Sequence, residues 1–176
     1  LSDKLTYTVF QTDAGWVAVM ASERGLVRAT LPRAAAEDAL KALGERAQEA
    51  TRTDDRFADL AARFQSYFRG WKPSFPDKLD LSEGTPFQRA VWEGARRIPY
   101  GETRSYGELA EEIGRPGAGR AVGQAMSRNP VAIVIPCHRV IASGGKLGGF
   151  GNRLDLKWYL LSLETDDGLI PEYPKG

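Results

Sequence analysis

Between residues 85 and 130 the chain is punctuated so densely that only short helices fit. Thr85-Pro86-Phe87-Gln88 offers an N-cap Thr, a Pro at the first helical position and a Gln placed to close a capping box. A helix with Phe87, Val91, Trp92 and Ala95 on one face follows, ending before Ile98-Pro99-Tyr100-Gly101. Ser105-Tyr106-Gly107-Glu108 is a second capping box, opening a helix through Leu109, Ala110 and Ile113 that Gly114 stops. After Arg115-Pro116-Gly117 a third helix runs from Ala118 to Ser127, before Asn129-Pro130. Two short helices joined by a Gly/Pro turn make a helix-turn-helix candidate.

The residues before this block follow another pattern. Tyr7–Phe10, Trp16–Met20 and Leu26–Leu31 are β-favouring runs separated by the turn sequences Thr12-Asp13-Ala14-Gly15 and Ser22-Glu23-Arg24-Gly25. Ala34 to Ala50 and Asp54 to Phe68 read as helices, the second from its apolar period. The Pro-rich stretch 70–77 reads as a linker, so the boundary between two subdomains is placed near residue 80, giving 1–80 and 81–176. The predicted class is mixed, α/β in the α+β sense. A small sheet with helices comes first and a mainly helical part second.

Beyond the helices, Val131 to Ile135 reads as a short buried strand leading into Pro136-Cys137-His138-Arg139-Val140. A glycine-rich loop spans Ser143 to Gly151, and Leu154 to Glu164 forms a last helix. The formal net charge is +1, but residues 81–160 hold eleven basic against seven acidic side chains and the tail from 161 is acidic. Nine of those eleven cations are Arg, whose planar fork suits phosphate oxygens. A solvated basic face reads the same way.

One Cys and one His exclude an internal disulfide and a zinc site built mainly from these residues. No window approaches the roughly 20 apolar residues of a membrane span, and the N-terminus lacks signal-peptide character, so a cytoplasmic protein is expected.

The sole Cys and the sole His are adjacent, Cys137 and His138. A Cys closing an apolar run is commonly a small buried hydrophobe. Pro136, however, puts Cys137 where the backbone must turn, and the Gly-rich loop could wall a pocket. A thiol near its free pKa of about 8.5 is a poor nucleophile at neutral pH, so a reactive Cys137 needs a base or a positive field. His138 reaches the sulfur only if the turn permits, or through a water, and an acid would complete the relay.

Pro136-Cys137-His138-Arg139-Val140 resembles the active-site signature of the O6-alkylguanine-DNA alkyltransferases. The likeness extends through residues 98–103 and 105–110, Gly119-Arg120-Ala121-Val122-Gly123, Asn129-Pro130 and on to Glu164. Residues 81–164 are covered almost continuously. The N-terminal part resembles the family's variable ribonuclease-H-like subdomain more loosely.

The resemblance implies that Cys137 takes the alkyl group from O6-alkylguanine as a thioether, in a single turnover without cofactor or metal. It gives His138 the part of water-mediated base, Glu164 that of orienting acid and Tyr106 that of donor to the leaving purine. Asn129 would hold the turn that carries Cys137. Val140, Phe150 and Gly151 would contact the base, and Arg120 would fill the gap left by a flipped nucleotide. Some relatives carry Tyr and Ser at the positions of Phe150 and Gly151, which bears on acceptance of O4-alkylthymine or bulky adducts.

The partner so implied is double-stranded DNA entered through its minor groove by a winged helix-turn-helix-like domain. Ser105, Tyr106, Ala118, Gly119, Arg120, Ala121 and Gly123 would lie at the interface. The protein would act as a monomer, with cooperativity along DNA left open. Read without the family, Arg120 is a phosphate contact or a surface charge, and the small residues of its helix suit helix packing equally well. Three other readings compete. A cysteine hydrolase would need an acyl intermediate and an oxyanion hole. A non-catalytic binder of alkylated bases would have replaced the Cys that this chain keeps. A plain transcriptional helix-turn-helix would not explain the Pro-Cys-His turn and its Gly-rich loop.

Overall fold

The computed structural model describes residues 4–150 and 153–165. Two compact units make up the described chain. One reaches to Leu81 and includes Pro130–Val134; the other comprises Ser82–Asn129 and the residues from Ile135 on.

The first unit is built on a four-stranded sheet of order β3-β2-β1-β4. Strands β1 (Thr6–Thr12) and β2 (Gly15–Ser22) form an antiparallel hairpin, and β3 (Gly25–Ala29) extends it. The hairpin turns over Asp13-Ala14, where the Thr12 hydroxyl donates to the Gly15 carbonyl at 2.8 Å and accepts from the Ala14 N–H. Strand β2 is buried on both faces, because helices cover both sides of the sheet. Helix α1 (Ala36–Ala42) closes Leu5, Val9, Ala18, Met20 and Val27 with Ala39 and Leu43. Helix α2 (Ala58–Phe68) covers the opposite face through Phe64, 5.7 Å from the Phe10 ring.

Two expectations for this unit change. The helix read over Ala34–Ala50 breaks after Leu43, since Gly44 takes φ 91°, a conformation that ends a right-handed helix. A 3-10 turn, Glu45–Glu49, follows and delivers the chain to β4 (Thr51–Arg52), parallel to β1. The Pro-rich stretch has no regular structure, yet it is no loose tether. The Phe75 ring packs at a tilt against Phe64, centroids 5.3 Å apart, and Arg63 of α2 grips both oxygens of Asp77 at 2.7 and 2.8 Å.

The strand read over Val131–Ile135 is also corrected. These residues are buried, but only single bridges form there, such as Ala29 to Val131. Ile133 at φ 71° and a tight Val134 N–H to Ala132 carbonyl bond turn the backbone out of any ladder.

The second unit carries the helices that the punctuation announced. In α3 (Pro86–Arg96) the Thr85–Gln88 capping box is closed in both directions, and Val91, Trp92 and Ala95 are buried. Strand β5 (Arg104–Ser105) leads into α4 (Tyr106–Glu112), whose Ser105–Glu108 box is likewise complete. The Gly114 N–H bonds to the Glu111 carbonyl and the Arg115 N–H to the Ala110 carbonyl, a Schellman ending. Helix α5 (Gly119–Ser127) packs on α3 through the Trp92 indole N–H, which donates to the Ala125 carbonyl at 2.9 Å. Strand β6 (Val140–Ile141) pairs in parallel with β5, aligning Arg104 with Val140 and Ser105 with Ile141. Helix α6 (Leu154–Leu163) closes the unit. Among the described residues no helix is long and apolar enough to cross a membrane.

Candidate active site

The candidate site forms where β6 meets β5. That short pairing was not foreseen, because two-residue strands leave no periodic trace in a sequence. It sets the first residue of α4, Tyr106, beside the turn that bears Cys137. Pro136 stops the extended chain, and Cys137–Arg139 form one turn of 3-10 helix whose entry is tightened by the Cys137 N–H to Ile135 carbonyl bond at 2.8 Å. Asn129 fixes the same point, its Nδ2 donating to the Ile135 carbonyl at 2.8 Å. Asn129 thus ties together the places where the chain leaves the second unit and returns to it.

Cys137 is a free thiol, 8% exposed. Burial pushes its pKa up, against the opposing pull of the Asn129 side chain, the Lys157 charge and the N–H groups of Cys137 and His138. The thiol therefore rests protonated in a setting that already favours the thiolate at several points, and a base is what it lacks.

His138 is 1% exposed, and its Nε2 lies 2.5 Å from Glu164 Oε2. Glu164 also accepts from Arg139 at 2.7 and 3.1 Å and from the Gly101 N–H at 3.2 Å. Burial by itself would raise the Glu164 carboxyl, but His138 and Arg139 outweigh it and hold it well below the usual carboxylate range. A carboxylate only accepts hydrogen bonds, so His138 Nε2 carries the proton and Nδ1 is the basic nitrogen of the ring. Burial lowers the His138 pKa further than Glu164 restores it, so the imidazole rests neutral. These residues make a neutral base whose protonated form would meet a fixed anion.

Arg139 was quoted in the sequence motif without a role. It is the clamp of this arrangement, bonded also to the Ile98 carbonyl at 2.8 Å and lying 5.6 Å over the Tyr100 ring.

Lys157 was missed altogether. It is 1% exposed, donates to the Val140 carbonyl at 2.7 Å, and lies 5.8 Å from the ring centres of both Tyr106 and Phe150. Burial lowers its pKa to about 8, with the charge of Cys137 pulling the other way. A signal was available. Lys157 stands on one helical face in line with Leu160 and Glu164, in the largely apolar helix Leu154–Leu163.

Tyr106 is half-buried, and burial raises its phenol pKa, which keeps its proton in place. Gly148 lets this ring in. A Cβ there would sit 2.7 Å from the Tyr106 hydroxyl, on a backbone at φ 74°. Val140 is buried and Phe150 partly so, while Gly151 lies outside the described residues.

The predicted DNA-facing residues divide. Arg120 and Ala121 are exposed on α5. Gly119 and Gly123 face α4 instead, toward Gly107 and the Tyr106 ring, and Ala118 is half-buried. The Ser105 hydroxyl is engaged in its cap, accepting from the Glu108 N–H at 3.0 Å.

A family profile described as 6-O-methylguanine DNA methyltransferase, DNA binding domain, matches residues 86–166. A methylated-DNA–protein-cysteine methyltransferase of Methanosarcina acetivorans is 41% identical over 158 residues, 90% of this chain and 97% of the relative. The crystal structure of Mycobacterium tuberculosis OGT in complex with DNA is similar at a TM-score of 0.76. It is 39% identical, and the match covers 90% of this chain and 92% of that one. The O6-methylguanine-DNA methyltransferase of Pyrococcus kodakaraensis strain KOD1 matches at a TM-score of 0.64 and 26% identity over 91% of this chain and 98% of that one. On these grounds the chain belongs to the methylated-DNA–protein-cysteine methyltransferases.

Proposed function

We propose that this protein repairs alkylated DNA by moving the alkyl group of O6-alkylguanine onto its own Cys137. The observation that carries the reading is the buried thiol beside a neutral His138 whose far nitrogen is locked by Glu164 and Arg139. His138 takes the thiol proton through a bridging water, and the sulfur attacks the alkyl carbon. A C–S bond forms as the C–O6 bond breaks, and the electron pair leaves with the purine. Tyr106 donates to that developing anion, which is easier to expel when it meets a donor. The thioether is not hydrolysed, so each molecule acts once.

A base inside a duplex cannot reach this thiol, so the nucleotide must be flipped out. Helix α5 enters the minor groove as a monomer's reading element, and Arg120 occupies the vacated stack. Asn129 steadies the Cys137 turn, the Val140 and Cys137 carbonyls accept from the exocyclic amine, and Phe150 and Gly151 cover the base. A cytoplasmic setting suits a mechanism that needs a reduced thiol. The retained Cys137 disfavours a purely binding role.

Incubation with a duplex carrying radiolabelled O6-methylguanine should leave one label per protein molecule, absent in Cys137→Ala. Label that never transfers, or that persists in the Ala variant, overturns the mechanism.

A further inference from the structure

The Val140 carbonyl, which the proposed function assigns to the base's exocyclic amine, already has a partner. Lys157 Nζ donates to it at 2.7 Å, with a longer contact of 3.5 Å to the Gly149 carbonyl. The ammonium is enclosed by the same residues that surround the base in that reading. The Tyr106 and Phe150 rings stand 5.8 Å away. A buried carbonyl left without a donor is costly, whereas one with a donor in place gains little from a second. Sites that read a base through an otherwise unpaired group reject strongly any analogue that lacks the matching donor. This site has been relieved of that dependence.

We propose that Lys157 is a specificity-determining residue. By satisfying the Val140 carbonyl from within the protein, it admits alkylated bases that carry no exocyclic amine at that edge. The substrate class widens accordingly, from O6-alkylguanine to O6-alkylhypoxanthine, which carries hydrogen where guanine carries its amine. The proposal rests on the alkyl-transfer reading and adds to it which bases the pocket accepts. Lys157 does not touch the reacting carbon. Its ammonium has three donors, which lets it keep Val140 while the base's amine, when present, takes the carbonyl's second lone pair. The other charged or titratable groups near it are Cys137, His138 and Arg139 of the 3-10 turn, Tyr106 of α4 and Glu164 after α6. Losing the Lys157 charge withdraws support from the Cys137 thiolate and eases protonation of His138, and these effects act on both substrates alike.

The test is a ratio. Single-turnover transfer to Cys137 is measured from two duplexes identical except that one carries O6-methylguanine and the other O6-methylhypoxanthine, which lacks the 2-amino group. The wild-type protein should prefer guanine only a few-fold. In Lys157→Met the carbonyl loses its donor, and the preference should widen roughly tenfold or more. A general loss of packing would slow both substrates together and leave the ratio unmoved. An unchanged or narrowed ratio in Lys157→Met overturns the proposal. The same ratio is read in Lys157→Leu, so that the outcome does not depend on one variant folding. If the wild-type protein transfers label from neither duplex, the alkyl-transfer reading itself fails and this proposal falls with it. Transfer from both, with a ratio indifferent to Lys157, overturns only the role assigned here.

Discussion

Among the described residues, the buried polar side chains of the first unit are Thr8, Thr12, Ser22 and Thr30, all of them hydroxyls; those of the second are His138, Lys157 and Glu164, all ionisable. In the first unit the ion pairs reach solvent: Arg63 meets Asp77 with both side chains about one-fifth exposed, and Asp80, though only 6% exposed, pairs with an Arg24 side chain that is 58% exposed. In the second, His138 and Glu164 pair with their side chains 1% and 2% exposed. A hydroxyl is satisfied by one neighbouring carbonyl or carboxylate, as Ser22 is by Asp80 at 2.6 Å. A buried charge must be matched by a network, and the desolvation cost often exceeds what the pairing returns. The first unit is therefore organised for packing. The second keeps an arrangement that packing alone would not select, and its buried charges converge on one thiol.

The largest expected effect breaks that convergence. Glu164→Gln leaves the Arg139 guanidinium without its carboxylate and offers His138 Nε2 an amide in place of an anion. Removing one partner from a buried pair costs about 3–5 kcal/mol, to be read by urea unfolding at pH 7. Transfer should slow at least a hundredfold, because the imidazolium loses its counter-charge and the tautomer is no longer locked. The pH dependence has a definite sign. Glu164 is held below the ordinary carboxylate range, so its contribution is present above the unfolded pKa and lost as pH falls through the folded one. The gap between wild type and variant should therefore narrow in acid. A gap that widens below pH 5 would contradict the assignment.

Lys157→Met should act in the opposite direction on stability. Its ammonium is buried with a pKa lowered from 10.5 to about 8, so folding at neutral pH pays a desolvation penalty that Met avoids at similar volume. A gain of about 1–3 kcal/mol is expected at pH 7, less the lost hydrogen bond to Val140. For a base whose folded pKa is depressed, the penalty is full below the folded pKa. It fades as pH rises toward the unfolded one. The variant's advantage should thus shrink between pH 8 and 10.5. Thermal unfolding of both proteins across that range measures it, and a variant less stable at pH 7 would show that the ammonium's bonds outweigh its burial.

What could be read from the residues divides along the same line. Capping boxes and the Gly114 stop are local, so Thr85–Gln88 and Ser105–Glu108 were legible to the residue. Cys137 and His138 stand out as the sole residues of their kinds, but Glu164 is reached only through an ordered set of family motifs, since nothing in the spacing of residues 138 and 164 says that they touch. Helix α1 was overextended, because Ala-rich composition favours a helix through Gly44 while the backbone turns there to reach β4. Val131–Ile135 has strand composition, but its partners are single bridges far away in sequence. Lys157 was passed over because a charge in a terminal helix is ordinarily on its wet face. Its alignment with Leu160 and Glu164 hinted otherwise, and the bond to the Val140 carbonyl shows why it is buried.

The smallest effect sharpens the comparison from the other side. Asp77→Asn removes the charge from a two-pronged surface pair while keeping its shape and one acceptor oxygen. Arg63 retains Asp59 at 3.0 Å, the Ser74 carbonyl at 3.1 Å and the face of Phe75 at 5.4 Å. Exposed pairs contribute up to about 1 kcal/mol, so a loss of that order is expected, with transfer from O6-methylguanine duplex unchanged. Because water and ions reach both partners, raising the salt to about 0.5 M should erase most of the difference. Glu164→Gln should respond to salt far less. If Asp77→Asn instead cost as much as Glu164→Gln and ignored salt, the division between a rim of exposed charge and an interior of working charge would not hold. Arg63 would then rank as an interior cation in spite of its exposure.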